Sequence, residues 1–405
     1  MKRRIGILSV VNSFAYGGDE HRMLSFARHI DRRRFDHRIA VIKSPDAGID
    51  SLYGSLRQEY ESARIPLIDL GVKRPGNGLG RNVLHRFPRS AIGFATAINR
   101  LARLVREHDI DIVDGHIGTG NQAAVAVGRL TGRPASITTY HGEFFEPRPL
   151  WHIVQQITLR GANVIITDSE QRAEAMRTFL RRRRQLITII PNGVAAEPPR
   201  RPAHEVSAEL GIPNEPGRVV IGQIAGMIPI KGWTTLLEAA TLVLARDPKA
   251  FFVCVGQSRS DPAFGTALRE SAERQGVANR VRILSYPGHN ADVWQLFDIH
   301  VHASHFDSLP NAIIEGMAYG KPAVVTDVGD CARTVIDGVS GFVVPPRDAR
   351  ALTDALLRLL SDPGLRERFG REARNRYLAR HRPERMTAAL EALFERMAHK
   401  PMARV

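Results

Sequence analysis

The stretch D-S-L-P-N-A-I-I-E-G-M-A-Y-G-K-P, from Asp307 to Pro322, follows directly on D-I-H-V-H-A-S, an apolar run typical of a short buried strand. Proline is favoured in the first turn of a helix, because its missing N–H would have no intrahelical partner there. We therefore predict a helix over Pro310–Tyr319, beginning where the strand has just ended. The free backbone N–H groups and the dipole at such a helix start favour an anion.

Polar side chains in this stretch are spaced by four residues, at Asp307, Asn311 and Glu315. They would share one face of the helix if its first turn extends back to Asp307. A carboxylate about one turn past an anion-binding helix start is suited to accept hydrogen bonds from ribose hydroxyls. The opposite face carries the residues predicted to pack on the core, Ile313, Ile314 and Met317.

A second candidate site lies in I-G-Q-I-A-G-M-I-P-I-K-G-W, residues 221–233, where a strand pattern ends in a Gly/Pro loop. Lys231 stands just before the next helical pattern, and an ammonium beside a helix start commonly neutralises a diphosphate. A single lysine is also common on ordinary exposed surfaces. The residue type alone leaves both interpretations open.

Three weaker motifs lie in the first half of the chain. G-G-D-E at residues 17–20 predicts a strand-to-helix turn in which glycine allows close approach to a ligand. T-T-Y-H-G at 138–142 ends a strand pattern in a histidine, and I-I-P-N-G-V at 189–194 predicts a turn. The dinucleotide fingerprint G-x-G-x-x-G is absent from the first turn.

The order of elements predicts an α/β protein with two domains. Short β-rich runs alternate with amphipathic helical patterns on both sides of the proline-rich segment 196–217. Alternating strands and helices indicate parallel sheets covered on both faces, with ligands at the carboxyl ends of the strands. We expect domains over 1–195 and 218–382, joined by the linker 196–217.

Taken together, these motifs resemble those of family 4 retaining glycosyltransferases of the GT-B fold, over essentially the whole chain. The resemblance implies two Rossmann-like, doubly wound domains that face each other across a cleft. It assigns the hydroxyl acceptor to the N-terminal domain and the nucleotide sugar to the C-terminal domain. It also implies that a C-terminal helix, within 383–405, returns to the N-terminal domain.

The resemblance implies roles for individual residues. Lys231 would hold the diphosphate, Glu315 the ribose, and Asp307 the hydroxyls of the donor sugar. His141 would lie near the reacting sugar, so the catalytic candidates are His141, Asp307 and Lys231. Other residues would line the donor: Gly17 and Gly18 beside the phosphates, the segment Leu309, Pro310, Asn311 and Ala312 through its backbone N–H groups, and Ile283, Leu284 and Ser285 around the base.

The sequence departs from the family pattern in three places. Asp307 replaces the usual glutamate, Gly226 stands where an arginine is usual, and Gly329–Arg333 reads G-D-C-A-R instead of G-G-x-x-E. Without that arginine, Lys231 and the helix dipole remain to hold the diphosphate. A weakly active or inactive nucleotide-sugar-binding protein, and an epimerase or phosphorylase of the same fold, are therefore alternatives to a transferase.

Charge and cysteine content bear on partners and compartment. Residues 1–200 hold 31 Lys and Arg against 19 Asp and Glu, whereas the remainder holds 26 against 23. The excess in the first half indicates an anionic partner such as a membrane or a lipid-linked acceptor, or an arginine-rich surface in water. Two cysteines, Cys254 and Cys331, fit a reducing cytosol. No nucleic-acid-binding motif is present.

We expect a cytoplasmic enzyme, without a metal or cofactor, that associates peripherally with the inner face of the plasma membrane. No 18-residue apolar run is present in the sequence. Ligand spacing for a metal is also absent, and His302 and His305 are predicted to wall the pocket. The basic stretch Val72–Ser90 is the expected membrane contact.

Overall fold

A computed structural model describes residues 3–12, 18–43, 56–72, 86–138, 149–180, 186–256 and 262–399. These residues form two compact units. One comprises the chain up to Gly193 together with helix Pro383–His399, and the other comprises Val194–Arg382. Each is built on a parallel sheet with helices on both faces, which confirms the predicted fold class.

The first unit contains a seven-stranded sheet in the order β3-β2-β1-β4-β5-β6-β7. Its elements are β1 (Ile5–Val11), α1 (Gly18–His29), β2 (Phe35–Lys43), α2 (Arg57–Ser62), β3 (Leu67–Val72), α3 (Arg86–Glu107), β4 (Ile112–His116), α4 (Thr119–Thr131), β5 (Ala135–Thr138), α5 (Pro149–Gly161), β6 (Val164–Thr167), α6 (Glu170–Leu180), β7 (Leu186–Ile189) and the C-terminal helix α15 (Pro383–His399).

The second unit contains a six-stranded sheet in the order β10-β9-β8-β11-β12-β13. Its elements are α7 (Ala203–Glu209), β8 (Val219–Ile224), a 3₁₀ turn (Pro229–Lys231), α8 (Trp233–Leu244), β9 (Ala250–Val255), α9 (Pro262–Arg274), β10 (Val281–Leu284), α10 (Asn290–Trp294), β11 (Ile299–His302), α11 (Asn311–Ala318), β12 (Ala323–Thr326), α12 (Cys331–Thr334), β13 (Gly341–Val344), α13 (Ala349–Ser361) and α14 (Pro363–Arg380).

Burial on both faces explains why the strands are almost wholly apolar. Every residue of β8, β9, β11 and β12 is buried. Helices cover both faces of a parallel sheet, so the side chains of a strand, which alternate between the two faces, are all buried. In the first unit, α3, α4, α5 and α6 pack on one face of the sheet, and α1, α2 and α15 pack on the other.

The segment predicted as a linker, 196–217, is more structured than its prolines indicate. It contains α7 and belongs to the second unit. Val206, Leu210 and Ile212 enter the same core cluster as Phe251 and Trp294. Burial of these apolar side chains stabilises a helix that composition alone did not predict.

Candidate functional site

Each sheet has one point at which the order of its strands reverses. In the first unit this point lies between β1 and β4, and in the second between β8 and β11. Loops that leave neighbouring strands in opposite directions open a crevice at the carboxyl ends, which is where doubly wound folds bind ligands. A cluster of charged side chains lies at this point in both units.

Asp307 is the centre of the cluster in the second unit. Its Oδ2 atom accepts hydrogen bonds from Lys231 Nζ at 2.6 Å, His302 Nε2 at 2.9 Å and Ser304 Oγ at 3.1 Å. Burial opposes ionisation of the carboxyl, but the His302 hydrogen bond and the Lys231 charge outweigh it. They hold the pKa of Asp307 well below its usual range, so the carboxylate is charged at neutral pH.

The loops around Asp307 are held by close backbone contacts. Gln223 donates to the Lys231 carbonyl at 3.1 Å and accepts from the Ala303 N–H at 2.9 Å. Gly232 has a φ of +71°, and a Cβ there would lie 1.8 Å from the Ala303 carbonyl oxygen. Only glycine fits this position, which gives a physical reason for the Lys-Gly pair.

The predicted helical face shared by Asp307, Asn311 and Glu315 was wrong. Helix α11 begins at Asn311, and Pro310 precedes it in an extended conformation with a φ of −71° and a ψ of 128°. Asp307 therefore lies in the irregular segment before the helix. Three other side chains, those of Lys231, His302 and Ser304, donate to its Oδ2 atom, and these bonds outweigh any tendency to extend the helix.

Glu315 lies on α11 and contacts a residue that the sequence did not single out. Trp294 Nε1, at the end of α10, donates to Glu315 Oε2 at 2.8 Å. Burial raises the pKa of Glu315, and the indole hydrogen bond opposes that rise. The apolar side of α11 packs on the core as predicted, with Ile313, Ile314 and Met317 all buried.

The remaining donor candidates of the second unit lie on the elements that the sequence predicted. Leu309 is buried beside the start of α11, and Ile283 and Leu284 are in β10. Ser285 Oγ donates to the Gly256 carbonyl at 2.9 Å, which ties the end of β10 to the end of β9. His305 Nε2 lies 2.9 Å from Thr235 Oγ1. The residues at the helix start are Pro310, Asn311 and Ala312.

Gly226, which stands where the family usually has an arginine, has space beside it for a side chain. A Cβ on Gly226 would meet no atom within 4 Å in the described part of the chain. The Gly226 carbonyl accepts from Trp233 Nε1 at 2.9 Å, which holds the loop to α8. A larger side chain is therefore compatible with the backbone here.

The cluster of the first unit was not predicted. His116, the last residue of β4, has Nε2 at 2.7 Å from Asp114 Oδ2 and Nδ1 at 3.1 Å from Asp19 Oδ1. All three side chains are buried, at 7%, 3% and 3% exposure. With a pKa of about 10, His116 carries protons on both ring nitrogens at neutral pH, so it is an imidazolium that donates to both carboxylates.

Neighbouring groups complete this buried cluster. Ser136 Oγ donates to Asp114 Oδ1 at 2.5 Å, and Ser9 Oγ lies 2.9 Å from His37 Nε2. Burial lowers the pKa of His116, but Asp19 and Asp114 outweigh burial and raise it to about 10. The alternation D-x-H at the carboxyl end of an apolar strand was the signal in the sequence, since both side chains point to one face.

Two predicted residues of the first unit, Gly17 and His141, lie outside the described residues. Gly18 is the first residue of α1 and is exposed. Asp19, which follows it, joins the start of α1 to β4 through His116. The turn predicted from G-G-D-E is therefore attached to the reversal point of the sheet.

Two family models match the chain, one in each half. The family described as Glycosyltransferase Family 4 matches residues 16–197, and Glycosyl transferases group 1 matches residues 216–362. The chain belongs to the family 4 glycosyltransferases. Both clusters of this glycosyltransferase lie inside the matched ranges.

Individual relatives agree with this assignment. The enzyme is 26% identical over 397 residues to D-inositol 3-phosphate glycosyltransferase 2 of Catenulispora acidiphila, covering 92% of the chain and 90% of the relative. It is 30% identical to the alpha-D-kanosaminyltransferase of Streptomyces kanamyceticus over 171 residues. That second match spans 42% of either protein, less than half the length of the relative.

Solved structures share the fold of the glycosyltransferase over nearly its full length. A glycosyltransferase from Rickettsia africae is 18% identical, with a TM-score of 0.80, and the match covers 98% of the chain and 100% of that structure. Anabaena HepE, solved in complex with UDP-glucose, is also 18% identical, with a TM-score of 0.76 and coverage of 97% and 100%. At this identity the likeness concerns the fold.

The described residues contain neither a candidate metal site nor a candidate membrane-spanning helix. No group of three or more His, Cys, Asp or Glu side chains there is placed to hold a metal ion. Within the same residues, no helix combines the length and apolar character needed to cross a bilayer.

Proposed function

We propose that this glycosyltransferase moves a sugar from a nucleoside diphosphate to a hydroxyl acceptor, with retention at the anomeric carbon. The observation that carries the proposal is the Lys231–Asp307–His302 cluster at the reversal point of the second sheet. It places a cation and a carboxylate that is ionised at neutral pH beside the start of α11. HepE, a structural neighbour solved with UDP-glucose, supports a nucleotide sugar as donor.

The chemistry requires stabilisation of the negative charge that develops on the leaving diphosphate. The bond between the sugar C1 and the diphosphate breaks, and the bond from C1 to the acceptor oxygen forms. Negative charge develops on the diphosphate, which takes up the proton of the acceptor hydroxyl. Lys231 and the N–H groups at the start of α11 would stabilise that charge, because preorganised donors act strongly in a site shielded from water. Asp307 would contact the hydroxyls of the sugar, and Glu315 would accept hydrogen bonds from the ribose.

The nucleotide and the stereochemistry are tested together. Thermal shifts with UDP, GDP and ADP identify the base, because a ligand that binds only the folded state raises the melting temperature. Proton NMR of the product formed from the matching nucleotide sugar then reports its anomeric configuration. An inverted product would contradict retention, and the absence of a shift with every nucleotide would contradict the proposed donor.

Replacing Lys231 with alanine should weaken binding of the nucleoside diphosphate by about 1.5–3 kcal/mol, which is the contribution of a hydrogen bond to a charged group. Titration calorimetry of the wild type and variant measures this loss. Lys249→Ala is the matched control, since Lys249 is an exposed lysine just before β9 in the same unit. Equal affinities in the wild type and Lys231→Ala would remove Lys231 from the diphosphate site.

We also propose that the acceptor is lipid-linked, in cell-surface polysaccharide or glycolipid synthesis, and that the first unit binds reversibly to the inner face of the plasma membrane. The stretch Val72–Ser90 supplies the basic residues Lys73, Arg74, Arg81, Arg86 and Arg89. The first three lie outside the described residues, and the last two are at the start of α3. Each contributes about 1 kcal/mol near an anionic lipid surface.

An outward-facing apolar stripe on α5 supports the membrane proposal. Ile153 and Ile157 are 55% and 56% exposed, whereas the polar residues Gln155 and Thr158 of the same helix are 3% and 4% exposed. A helix of a globular unit normally has the opposite arrangement. The layer formed by α3, α4 and α5 contains seven arginines and a single glutamate. Apolar side chains within a basic surface suit an anionic lipid headgroup layer.

Co-sedimentation with vesicles tests this surface. Binding should require anionic lipid, fall with salt because exposed charges are screened, and drop at least fivefold in Ile153→Ser/Ile157→Ser. Leu378→Ser is the matched control, because Leu378 is 42% exposed in the other unit. Equal recovery with neutral and anionic vesicles would contradict the proposal. So would a double variant that binds vesicles normally but changes the oligomeric state, since a second copy would then cover the stripe.

A further inference from the structure

We propose that Trp294 is a positioning residue for donor binding: its indole N–H fixes the Glu315 carboxylate in the orientation that accepts the ribose hydroxyls. The proposal rests on the proposed function, because it takes Glu315 as the ribose-binding residue. It adds a residue that does not itself contact the donor. Three features support this role: the geometry of the indole, its anchoring, and its effect on the charge of Glu315.

The indole occupies one oxygen of the carboxylate and leaves the other available. Trp294 Nε1 donates to Glu315 Oε2 at 2.8 Å. In the described part of the chain, no second side-chain donor reaches this carboxylate. Trp294 is 1% exposed, whereas Glu315 keeps part of its surface in contact with solvent. The buried indole therefore binds Oε2, and Oε1 remains available as a hydrogen-bond acceptor.

Aromatic neighbours fix the plane of the indole. Tyr319, one turn after Glu315, stacks on Trp294 with ring centroids 6.0 Å apart and an interplanar angle of 15°. His300 and Phe297 meet it edge to face, at 4.9 Å and 5.3 Å. Such a ring has no alternative rotamer without opening a cavity. The direction of its N–H is set by the core and not by the ligand.

The helix that carries Trp294 is anchored as well. Asp292 Oδ1 accepts the backbone N–H groups of Arg200 and Arg201 at 2.6 Å and 3.1 Å. The Tyr286 hydroxyl donates to Asp292 Oδ2 at 3.3 Å. Tyr286 follows β10, whose end is predicted to border the base. The Trp294 donor is thus rigidly connected to the strand end that would hold the other part of the nucleoside.

The indole also affects the charge of Glu315. Burial raises the pKa of this carboxyl, and the Trp294 hydrogen bond lowers it. The two ionisable side chains that contact the indole ring, Tyr319 and His300, are neutral around pH 7, because burial raises the pKa of Tyr319 and lowers that of His300. Arg374, on α14, is bonded to the Ala318 carbonyl near the end of α11. Without the indole N–H, the carboxyl would be protonated at a higher pH and would accept fewer hydrogen bonds.

The test is the pH dependence of UDP or GDP binding to Trp294→Phe, whichever nucleotide the wild type binds. The phenyl ring keeps most of the packing and removes the donor. We expect affinity to fall about 3- to 10-fold at pH 8 and the acidic limit of binding to move up by about one pH unit, as for loss of a hydrogen bond to the charged form. Calorimetry between pH 5 and pH 8 measures both.

Further variants separate positioning from packing. Tyr319→Phe keeps the stacked ring and the indole, and loses only the hydroxyl bonded to the Glu197 carbonyl, so its acidic limit should match the wild type. Glu315→Asp, one methylene shorter, should lose the indole bond and move the acidic limit in the same direction as Trp294→Phe. This variant tests the proposal even if Trp294→Phe fails to fold.

The outcomes distinguish the inference from the proposed function. If Glu315→Gln binds the nucleotide as well as the wild type at pH 8, Glu315 is not the ribose-binding residue and the proposed function loses that part. If Glu315→Gln weakens binding but folded Trp294→Phe keeps the acidic limit of the wild type, the positioning role is wrong. Trp294→Phe should leave the pH profile of Glu315→Gln unchanged, because no titrating carboxyl then remains at that position.

Discussion

Replacing His116 with alanine should lower the free energy of unfolding of the first unit by about 3–5 kcal/mol, the usual cost of removing one partner from a buried ion pair. The change leaves Asp114 and Asp19 buried without the cation that joins them. Both carboxylates lie at the reversal point between β1 and β4, so repulsion there also weakens the attachment of α1. We expect this to be the largest effect of a single substitution on stability.

The dependence on pH identifies the electrostatic origin of this loss. In the wild type the His116 pKa is raised to about 10, so its contribution is complete below pH 6.5 and is lost only as pH rises through about 10. In His116→Ala the buried Asp114 carboxyl loses the imidazolium charge and hydrogen bond that lower its pKa, so burial raises that pKa in the folded state. Such a group costs least when it is protonated, so the variant should recover stability as pH falls from 7 towards 4.

Denaturant unfolding at pH 5 and pH 7.5, with hydrogen exchange of β4 peptides to report on the first unit, measures this difference. Val113→Ala is the matched control, because Val113 is buried in the same strand as His116 and its side chain does not titrate. The control should lose stability equally at both. Both substitutions are made in a Glu20→Gln background, because burial and Asp19 raise the pKa of Glu20 to about 7 and His116 lowers it. A His116→Ala loss that does not change with pH would contradict the imidazolium assignment.

Replacing Asp307 with asparagine should separate nucleotide binding from turnover. Turnover of the nucleotide sugar should fall at least about 100-fold, the typical effect of losing a preorganised polar contact to the transition state. Free nucleoside diphosphate should bind equally well or up to about tenfold more tightly. The reason is that Lys231 Nζ, now 2.6 Å from Asp307 Oδ2, would no longer be paired with a carboxylate that competes with the diphosphate.

Steady-state kinetics and calorimetry on the same preparation measure the two effects. Asp354→Asn is the control, since Asp354 forms an exposed ion pair with Arg246 at 3.5 Å, and such pairs contribute little. That variant should match the wild type in both measurements. Loss of diphosphate binding in Asp307→Asn would mean that the carboxylate holds Lys231 in its binding position. The proposed division of roles would then be wrong.

The loops of the proposed donor site could be predicted because their signals are local. The Lys-Gly pair after β8 and the proline before α11 are turn and helix-start signals within a few residues. The structure adds the reason for Gly232, which lies against the Ala303 carbonyl. The prediction that the helix extends back to Asp307 was wrong, because the conformation of Asp307 depends on distant partners. One of them, Lys231, is 76 residues away in sequence.

The unpredicted residues share one property, which is a partner far along the chain. His116 and Asp19 are 97 residues apart, and Trp294 and Glu315 are 21 apart on separate elements. The D-x-H alternation indicates the local partner Asp114 of His116, but no local pattern indicates the distant partners Asp19 of His116 and Glu315 of Trp294. Their roles follow from the order of strands in the sheet.

The sequence by itself determined the two parallel α/β units and the loops that could carry a nucleotide sugar, because hydrophobic periodicity and turn residues act over short distances. Only the tertiary structure decided which charged groups meet. Strand order brings β1 beside β4 and β8 beside β11, and the loops after these strands then place their side chains within hydrogen-bond distance. Burial there makes each charge depend on its partner, which is why Asp307 and His116 are fixed in their ionised forms.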